Sequence, residues 1–132
     1  MQTSEQLMPR SAPSVLIVDD DADVRTMLGE VLRHHGYVLE MAANGAEAID
    51  RLTDGTYSVV LLDLLMPNVD GFEVLKFLRE RRPESARCLI VMTALAEVSR
   101  QLYSYREVVH VVKKPFDLDD LLSRISSCVQ NR

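Results

Sequence analysis

Acids, a threonine and a lysine stand at the ends of four apolar segments of this 132-residue chain. The segments and the residues that follow them are 15–18 with Asp19 and Asp20, 58–62 with Asp63, 89–92 with Thr93, and 108–112 with Lys114. Carboxylates that lie close together repel one another unless a divalent cation neutralises them. Mg²⁺ prefers oxygen ligands and phosphate partners, whereas zinc and copper favour Cys and His. The set therefore predicts a Mg²⁺ site that acts on a phosphate compound.

The same residues supply the groups that phosphoryl transfer needs. The Thr93 hydroxyl can donate a hydrogen bond to a phosphoryl oxygen, and Lys114 can place a positive charge beside it. Asp63 is then the available nucleophile. Two structural alternatives stay open for residues at strand ends: Asp63 as a turn-forming acid and Thr93 as a helix cap.

Short apolar segments alternate along the chain with longer segments of helical periodicity. Near-continuous hydrophobicity, clearest in 59–62 and 89–92, is typical of strands that helices cover on both faces. The alternation predicts a doubly wound α/β domain with five parallel strands and five helices, in which ligands bind beyond the carboxyl ends of the strands. The predicted strands are 15–18, 37–42, 58–62, 89–92 and 108–112, and the predicted helices are 24–32, 46–52, 71–81, 96–105 and 118–129.

Length and charge limit the classes of function. The chain fits one domain, and its net charge of −5 gives no basic excess for binding nucleic acid or an anionic membrane. No segment approaches the ~20 apolar residues of a membrane span. We expect a soluble, cytoplasmic protein with a flexible leader over 1–13, a domain over 14–129 and a tail over 130–132.

Three residues are predicted to end or begin helices. Asp21 and Asp117 precede helical segments and carry the short oxygen acceptor that N-caps require. Gly36 follows the first helical segment and is predicted to close it.

The two cysteines, Cys88 and Cys128, are too few for a disulfide framework and have no CxxC spacing. We therefore predict that both are reduced cysteines in the core.

Four motifs together resemble the receiver domain of two-component response regulators. They are VLIVDDD at 15–21, LLDLLMPNVDG at 61–71, VMTA at 91–94 and KKPF at 113–116. The resemblance covers residues 14–129, nearly the whole chain. Each motif alone is weak, but four in this order, each at a strand end, are specific.

The resemblance implies a phosphorylation switch. Asp63 would accept a phosphoryl group from a histidine kinase or a histidine phosphotransfer protein, and Thr93 and Lys114 would respond to it. The face around residues 95–125 would then change its affinity for an effector that the sequence does not identify, and a homodimer stays open. No multiple-turnover enzyme is expected.

The resemblance also implies a metal site and details of the fold. The sheet would be flavodoxin-like with strand order 2-1-3-4-5, and the peptide bond between Lys114 and Pro115 would be cis. The implied Mg²⁺ ligands are Asp19, Asp20, Asp63 and the backbone carbonyl of Leu65.

The chain departs from the family at positions that tune the switch. Val111 stands where family members usually carry Tyr or Phe, so the mobile group could instead be Tyr103, Tyr105 or His110. Leu65 and Leu95 are apolar at positions that govern dephosphorylation and cannot orient a water molecule, which predicts slow autodephosphorylation.

Two other functions are compatible with parts of the pattern. A phosphorylation-independent docking module agrees with Val111 but not with the retained acids, threonine and lysine. An aspartate-nucleophile phosphatase needs a second acid two residues after Asp63, where this chain has Leu65.

Overall fold

Strands and helices alternate in the residues that the structure, a computed structural model, describes: 12–66, 70–94, 102 and 108–130. The strands are β1 (Ser14–Val18), β2 (Val38–Ala42), β3 (Val59–Asp63), β4 (Leu89–Thr93) and β5 (Val108–Lys113). The helices are α1 (Ala22–His34), α2 (Gly45–Asp54), α3 (Gly71–Glu80) and α4 (Leu118–Gln130), with a 3-10 turn at Pro83–Ser85. The predicted helix at 96–105 lies outside the described residues except for Leu102, as do residues 1–11 of the predicted leader.

The five strands form one parallel sheet in the order β2-β1-β3-β4-β5, as predicted. Parallel strands end at a common edge, so the residues that follow β1, β3, β4 and β5 are brought together. Asp63 and Thr93 are the last residues of β3 and β4, and Asp19 and Lys114 come directly after β1 and β5. The sheet edge therefore gathers the residues whose types suggested phosphate chemistry.

Apolar side chains fill both faces of the sheet. Every residue of β3 and β4 is buried, and alternate residues point to opposite faces. One core lies under α2 and α3, and the other lies under α1 and α4. The helix residues of the first core are Ala48, Leu52, Val74, Leu75 and Leu78, and those of the second are Leu28, Leu32, Leu121 and Ile125.

The edge strand β2 is only half covered. Val38 is 54% exposed, and its backbone N–H donates to the Pro13 carbonyl at 3.0 Å. The residues of β2 alternate between exposed and half-buried before the buried Ala42, whereas every residue of β3 and β4 is buried because helices cover both faces of those strands.

The predicted helix ends are confirmed. Asp21 Oδ1 accepts hydrogen bonds from the N–H groups of Asp23 and Val24, at 2.9 and 3.3 Å. Asp117 Oδ1 accepts from the first turn of α4 in the same way. Gly36 follows α1 with φ +90°, a backbone conformation that residues other than glycine rarely adopt. Asp21 is therefore engaged in capping α1.

The prediction of two reduced cysteines is wrong in this structure, because Cys88 and Cys128 form a disulfide. The last turn of α4 packs beside the segment that precedes β4, which brings the two Cα atoms to 5.9 Å. That distance suits a disulfide. Nothing in the local sequence signals the pairing, because the two residues are 40 apart.

Candidate functional site

Five of the predicted site residues meet at the carboxyl edge of the sheet: Asp19, Asp20, Asp63, Thr93 and Lys114. Asp19, Asp63 and Thr93 are 0%, 4% and 1% exposed, whereas Asp20 is exposed. Carboxylates are almost never fully buried without a partner. The two buried acids are therefore not part of a solvated turn, and this end of the sheet is the candidate functional site.

Three carboxylates could share one cation. One oxygen each from Asp19, Asp20 and Asp63 can be chosen so that all three lie within 4.8 Å of one another. A set of hard oxygen ligands in which one member is exposed suits Mg²⁺, which keeps several of its water ligands. The residues present fit the metal that their types predicted.

Lys114 reaches into this cluster from the end of β5. Its Nζ donates a hydrogen bond to Asp19 Oδ2 at 2.7 Å and lies 3.4 Å from Asp63 Oδ2. Its backbone N–H donates to the Thr93 carbonyl at 2.8 Å. The cis peptide bond between Lys114 and Pro115 is present, as the resemblance implied. Lys114 therefore partly compensates the two buried acids.

The charges of the site shift its pKa values. Burial and the charge of Asp19 raise the pKa of Asp63 to about 6, although Lys114 and the Leu65 N–H act in the opposite direction. Burial by itself lowers the pKa of Lys114, but the hydrogen bond to Asp19 and the charges of Asp63 and Asp19 outweigh it and raise that pKa. Lys114 therefore stays charged. The positive charge around Asp63 is too small to keep its carboxyl fully ionised at mildly acidic pH.

The segment after β3 is held against the start of α3. The Leu65 N–H donates to Asp63 Oδ1 at 3.1 Å, and the Gly71 N–H donates to the Leu64 carbonyl at 3.0 Å. A Cβ at residue 71 would stand 2.6 Å from the Asp63 carbonyl oxygen and would also meet the Leu64 backbone. Only glycine allows this approach, and that role of Gly71 was not predicted from its place in the 61–71 motif.

Arg25 is a second residue whose role is not apparent from the sequence motifs. Its Nη1 donates to the Asp19 carbonyl at 2.6 Å, while Asp19 Oδ1 accepts from the Asp21 N–H at 2.9 Å. These bonds fix the acidic turn between β1 and α1. An arginine one turn inside a helix that follows several acids is the available signal for such a role.

The remaining predicted residues lie at different places. Leu65 is 41% exposed beside Asp63, whereas Leu95, Tyr103 and Tyr105 lie outside the described residues. Val111 is half-buried against the core under α2 and α3. His110 lies on the opposite face of β5, where its Nδ1 is 3.3 Å from Arg124 Nη1.

An apolar groove of about 430 Å³ opens directly beside Lys114. Among its lining residues, Met27 is 38% exposed. The groove is lined by Asp21, Val24, Met27, Ala94, Lys114, Pro115 and Phe116.

In the part of the chain that the structure describes, no helix has the length and apolar character to cross a membrane.

Comparison with known proteins points to one family. Residues 15–126 match the family model described as the response regulator receiver domain. The transcriptional regulatory protein ResD of Bacillus subtilis is 32% identical over 117 residues, which are 88% of this chain and 48% of ResD. The chain thus spans about half the length of this curated relative.

Solved structures agree in fold. The response regulator TrrA of Thermotoga maritima, solved in complex with Mg(2+)-BeF, is 31% identical with a TM-score of 0.77, covering 88% of this chain and 98% of that one. A CheY-like response regulator receiver domain protein from Methanospirillum hungatei is 26% identical with a TM-score of 0.82, covering 91% and 95% of the two chains.

Proposed function

Since this chain belongs to the receiver domain family of two-component response regulators, we propose that Asp63 is the phosphoacceptor of a Mg²⁺-dependent transfer. The observation that carries the proposal is the position of Asp63, whose buried carboxylate lies 3.4 Å from Lys114 Nζ. It also lies within 4.8 Å of oxygens on Asp19 and Asp20. A nucleophile in this setting has charge stabilisation already in place.

Asp19, Asp20 and Asp63 would hold the metal, together with the backbone carbonyl of Leu65 that the resemblance implies. When bound, Mg²⁺ supplies positive charge that keeps Asp63 ionised and stabilises phosphoryl oxygens. An Asp63 oxygen attacks the phosphorus of the donor and forms an acyl phosphate. The bond from phosphorus to the leaving group breaks, and the leaving group departs with its electron pair.

Thr93 and Lys114 then respond to the new charge. Lys114 Nζ, which is hydrogen-bonded to Asp19, is in reach of a phosphoryl group on Asp63 and can pair with its oxygens. Thr93, buried at the end of β4, can donate from its hydroxyl. Phosphorylation favours one of two pre-existing states of the face around residues 95–125.

Two kinds of protein partner follow from this switch. The phosphodonor would be a histidine kinase or a histidine phosphotransfer protein, which must present its phosphohistidine close to Asp63. The groove at Val24, Met27 and Phe116 adjoins Lys114, so apolar side chains of the donor can dock there. We place the protein in the cytoplasm, where two-component phosphotransfer takes place.

The output would be a protein contact. A net charge of −5 leaves no basic excess to favour direct binding of nucleic acid or an anionic membrane. The effector contacted by this domain would therefore be a protein surface, and sizing of the phosphorylated and unphosphorylated protein shows whether a second copy of this chain supplies it. Because Leu65 has no acidic proton to donate, we expect one transfer per chain and not turnover of a phosphate substrate.

The test is the intact-protein mass after incubation with acetyl phosphate and Mg²⁺. We expect one phosphoryl adduct in wild type, and none with EDTA or in Asp63→Asn. Asp21→Asn is the matched control: it changes an acid next to the cluster but keeps a side chain that can cap α1, so it should keep the adduct. An adduct that persists in Asp63→Asn, or none in folded wild type, would reject Asp63 as the acceptor.

A further inference from the structure

The disulfide between Cys88 and Cys128 lies at the end of the sheet opposite to Asp63. Cys88 directly precedes β4, and its carbonyl accepts a hydrogen bond from the Val60 N–H at 2.9 Å. Cys128 lies in the last turn of α4. The bond therefore joins the start of β4 to the end of the last helix.

The cross-link closes a loop that contains both proposed phosphate-responsive residues. The 40-residue separation encloses β4, β5 and most of α4, and Thr93 and Lys114 lie within it. A cross-link removes conformational freedom from the unfolded loop and so favours its folded state. The loop that this bond closes, residues 88–128, therefore includes the residues that would respond to a phosphoryl group on Asp63.

Both the oxidised and the reduced pair are compatible with the fold. Cys88 and Cys128 are 5% and 6% exposed and belong to the core under α1 and α4, where a free cysteine behaves as a small apolar residue. Cys128 is two residues from the end of α4. Helix ends open locally at low free-energy cost, which gives a small molecule access to Cys128 without global unfolding.

We propose that Cys88 and Cys128 are a reversible redox pair, oxidised by a low-molecular-weight disulfide such as oxidised glutathione, and that their cross-link stabilises the loop at 88–128 that contains Thr93 and Lys114. The second part rests on the proposed phosphorylation of Asp63. In the cytoplasm, disulfides are typically transient or redox-sensing, so the pair would report oxidation of the thiol pool.

The chemistry is two thiol–disulfide exchanges. The Cys128 thiolate attacks one sulfur of the small disulfide, whose S–S bond breaks and releases a small thiolate that takes up the proton lost by Cys128. The Cys88 thiolate then attacks Cys128 Sγ of the mixed disulfide formed in the first step; the bond to the small thiol breaks as the protein disulfide forms, and the released small thiolate takes up the proton lost by Cys88. Two protein thiols are oxidised while one small disulfide is reduced to two thiols.

The first test is the intact mass of the folded chain in buffers of fixed ratio of reduced to oxidised glutathione. We expect loss of two hydrogen atoms and of both alkylatable thiols in oxidising buffer, and full reversal in reducing buffer. Acetyl phosphate and Mg²⁺ in the same samples report the Asp63 adduct separately, so failure of either proposal is visible without the other. Thiols that stay alkylatable in oxidising buffer, or a disulfide that resists reduction, would overturn the redox pair.

The second test is the thermal midpoint of wild type in oxidising and reducing buffer. We expect the cross-link to raise Tm by on the order of 10 °C. Hydrogen exchange at the end of α4 should become slower at the same time. Cys88→Ser and Cys128→Ser, each compared with itself in the two buffers, should show no shift, so any loss of stability from the substitution cancels. An equal shift in these variants, or none in cross-linked wild type, would contradict the stabilising role.

Discussion

Lys114 lies closer to Asp19 than to Asp63: its Nζ is 2.7 Å from Asp19 Oδ2 and 3.4 Å from Asp63 Oδ2. Asp19 is completely buried, so the lysine is its compensating charge in this state. A phosphoryl group on Asp63 would compete with Asp19 for the same ammonium group. The strength of the hydrogen bond between Lys114 and Asp19 would therefore set part of the free energy of the proposed switch.

Replacing Lys114 by Ala should lower stability in EDTA by about 2 kcal/mol, because it leaves Asp19 buried without its cation. Mg²⁺ should recover part of this loss, since the metal replaces the missing positive charge. Urea unfolding with and without Mg²⁺ measures both effects. Lys113→Ala is the matched control, as Lys113 is exposed, and an equal loss in that variant would contradict the assignment.

The raised pKa of Asp63 predicts a pH dependence of stability in EDTA. The ordinary pKa of an aspartate carboxyl is 3.8, whereas the pKa of Asp63 is about 6 here, so between these values the folded protein keeps a proton that the unfolded chain has lost. Stability contributed by this group therefore falls as pH rises through that window and stays lower above it.

Asp63→Asn removes the ionisable group and should be the more stable protein by about 2 kcal/mol at pH 8 without Mg²⁺, with the difference shrinking toward pH 4. Urea midpoints across this range measure it. A difference that is constant with pH would show that the ionisation of Asp63 is not its cause.

Gly71→Ala should destabilise the protein by about 2 kcal/mol, because overpacking displaces neighbouring backbone. The new Cβ would stand 2.6 Å from the Asp63 carbonyl oxygen, so phosphorylation by acetyl phosphate should slow as well. Gly29→Ala is the control: its Cβ meets only side-chain atoms, of Met41 and Leu39, and these can move. Equal losses from the two variants would argue against a special role for residue 71.

The exposed Leu65 predicts a long-lived acyl phosphate. Its side chain is 41% exposed beside Asp63 and cannot orient an attacking water. Leu65→Asn should speed the loss of the phosphoryl adduct by about tenfold through water positioning, and Leu65→Met should leave it unchanged. The adduct is followed by intact mass after removal of acetyl phosphate. Rapid decay in wild type would show that another residue positions the water.

The groove beside Lys114 predicts a variant that separates protein donors from small ones. Met27→Asp places a charge on an apolar wall and should slow transfer from a phosphohistidine protein by about tenfold or more. Labelling by acetyl phosphate should be unaffected, because Met27 is not one of the residues that would hold Mg²⁺ or the phosphoryl group. Glu30→Gln, an exposed change on the same helix, is the control. Equal slowing with both donors would indicate damage to the site itself.

Most of the fold, and most of the residues that the structure brings together at the candidate site, could be predicted from the sequence. Alternating apolar and helical segments predicted the parallel sheet, because strands covered on both faces must be apolar throughout. Asp63, Thr93 and Lys114 could be chosen because parallel strands place their carboxyl ends at one edge. The caps at Asp21 and Asp117 followed from local hydrogen bonding alone.

The features that could not be predicted from the sequence depend on contacts between residues far apart in the chain, which no local pattern encodes. The Cys88–Cys128 bond joins residues 40 apart, and the need for glycine at residue 71 arises from the backbone of another segment. The preference of Lys114 for Asp19 is a matter of tenths of an ångström within a cluster. His110 and Val111 lie on opposite faces of β5, and which face carries which residue can be known only from the orientation of that strand in the sheet.

The backbone bond from the Lys114 N–H to the Thr93 carbonyl makes the two proposed readers of the phosphoryl group mechanically dependent. If the end of β4 shifts toward Asp63, Lys114, directly after β5, moves with it. If Lys114 shifts, it pulls Thr93 in the same direction. The response to phosphate should therefore be concerted and close to all-or-none. Substituting either side chain alone leaves that backbone bond in place, so each single variant should weaken the response without converting it into a graded one.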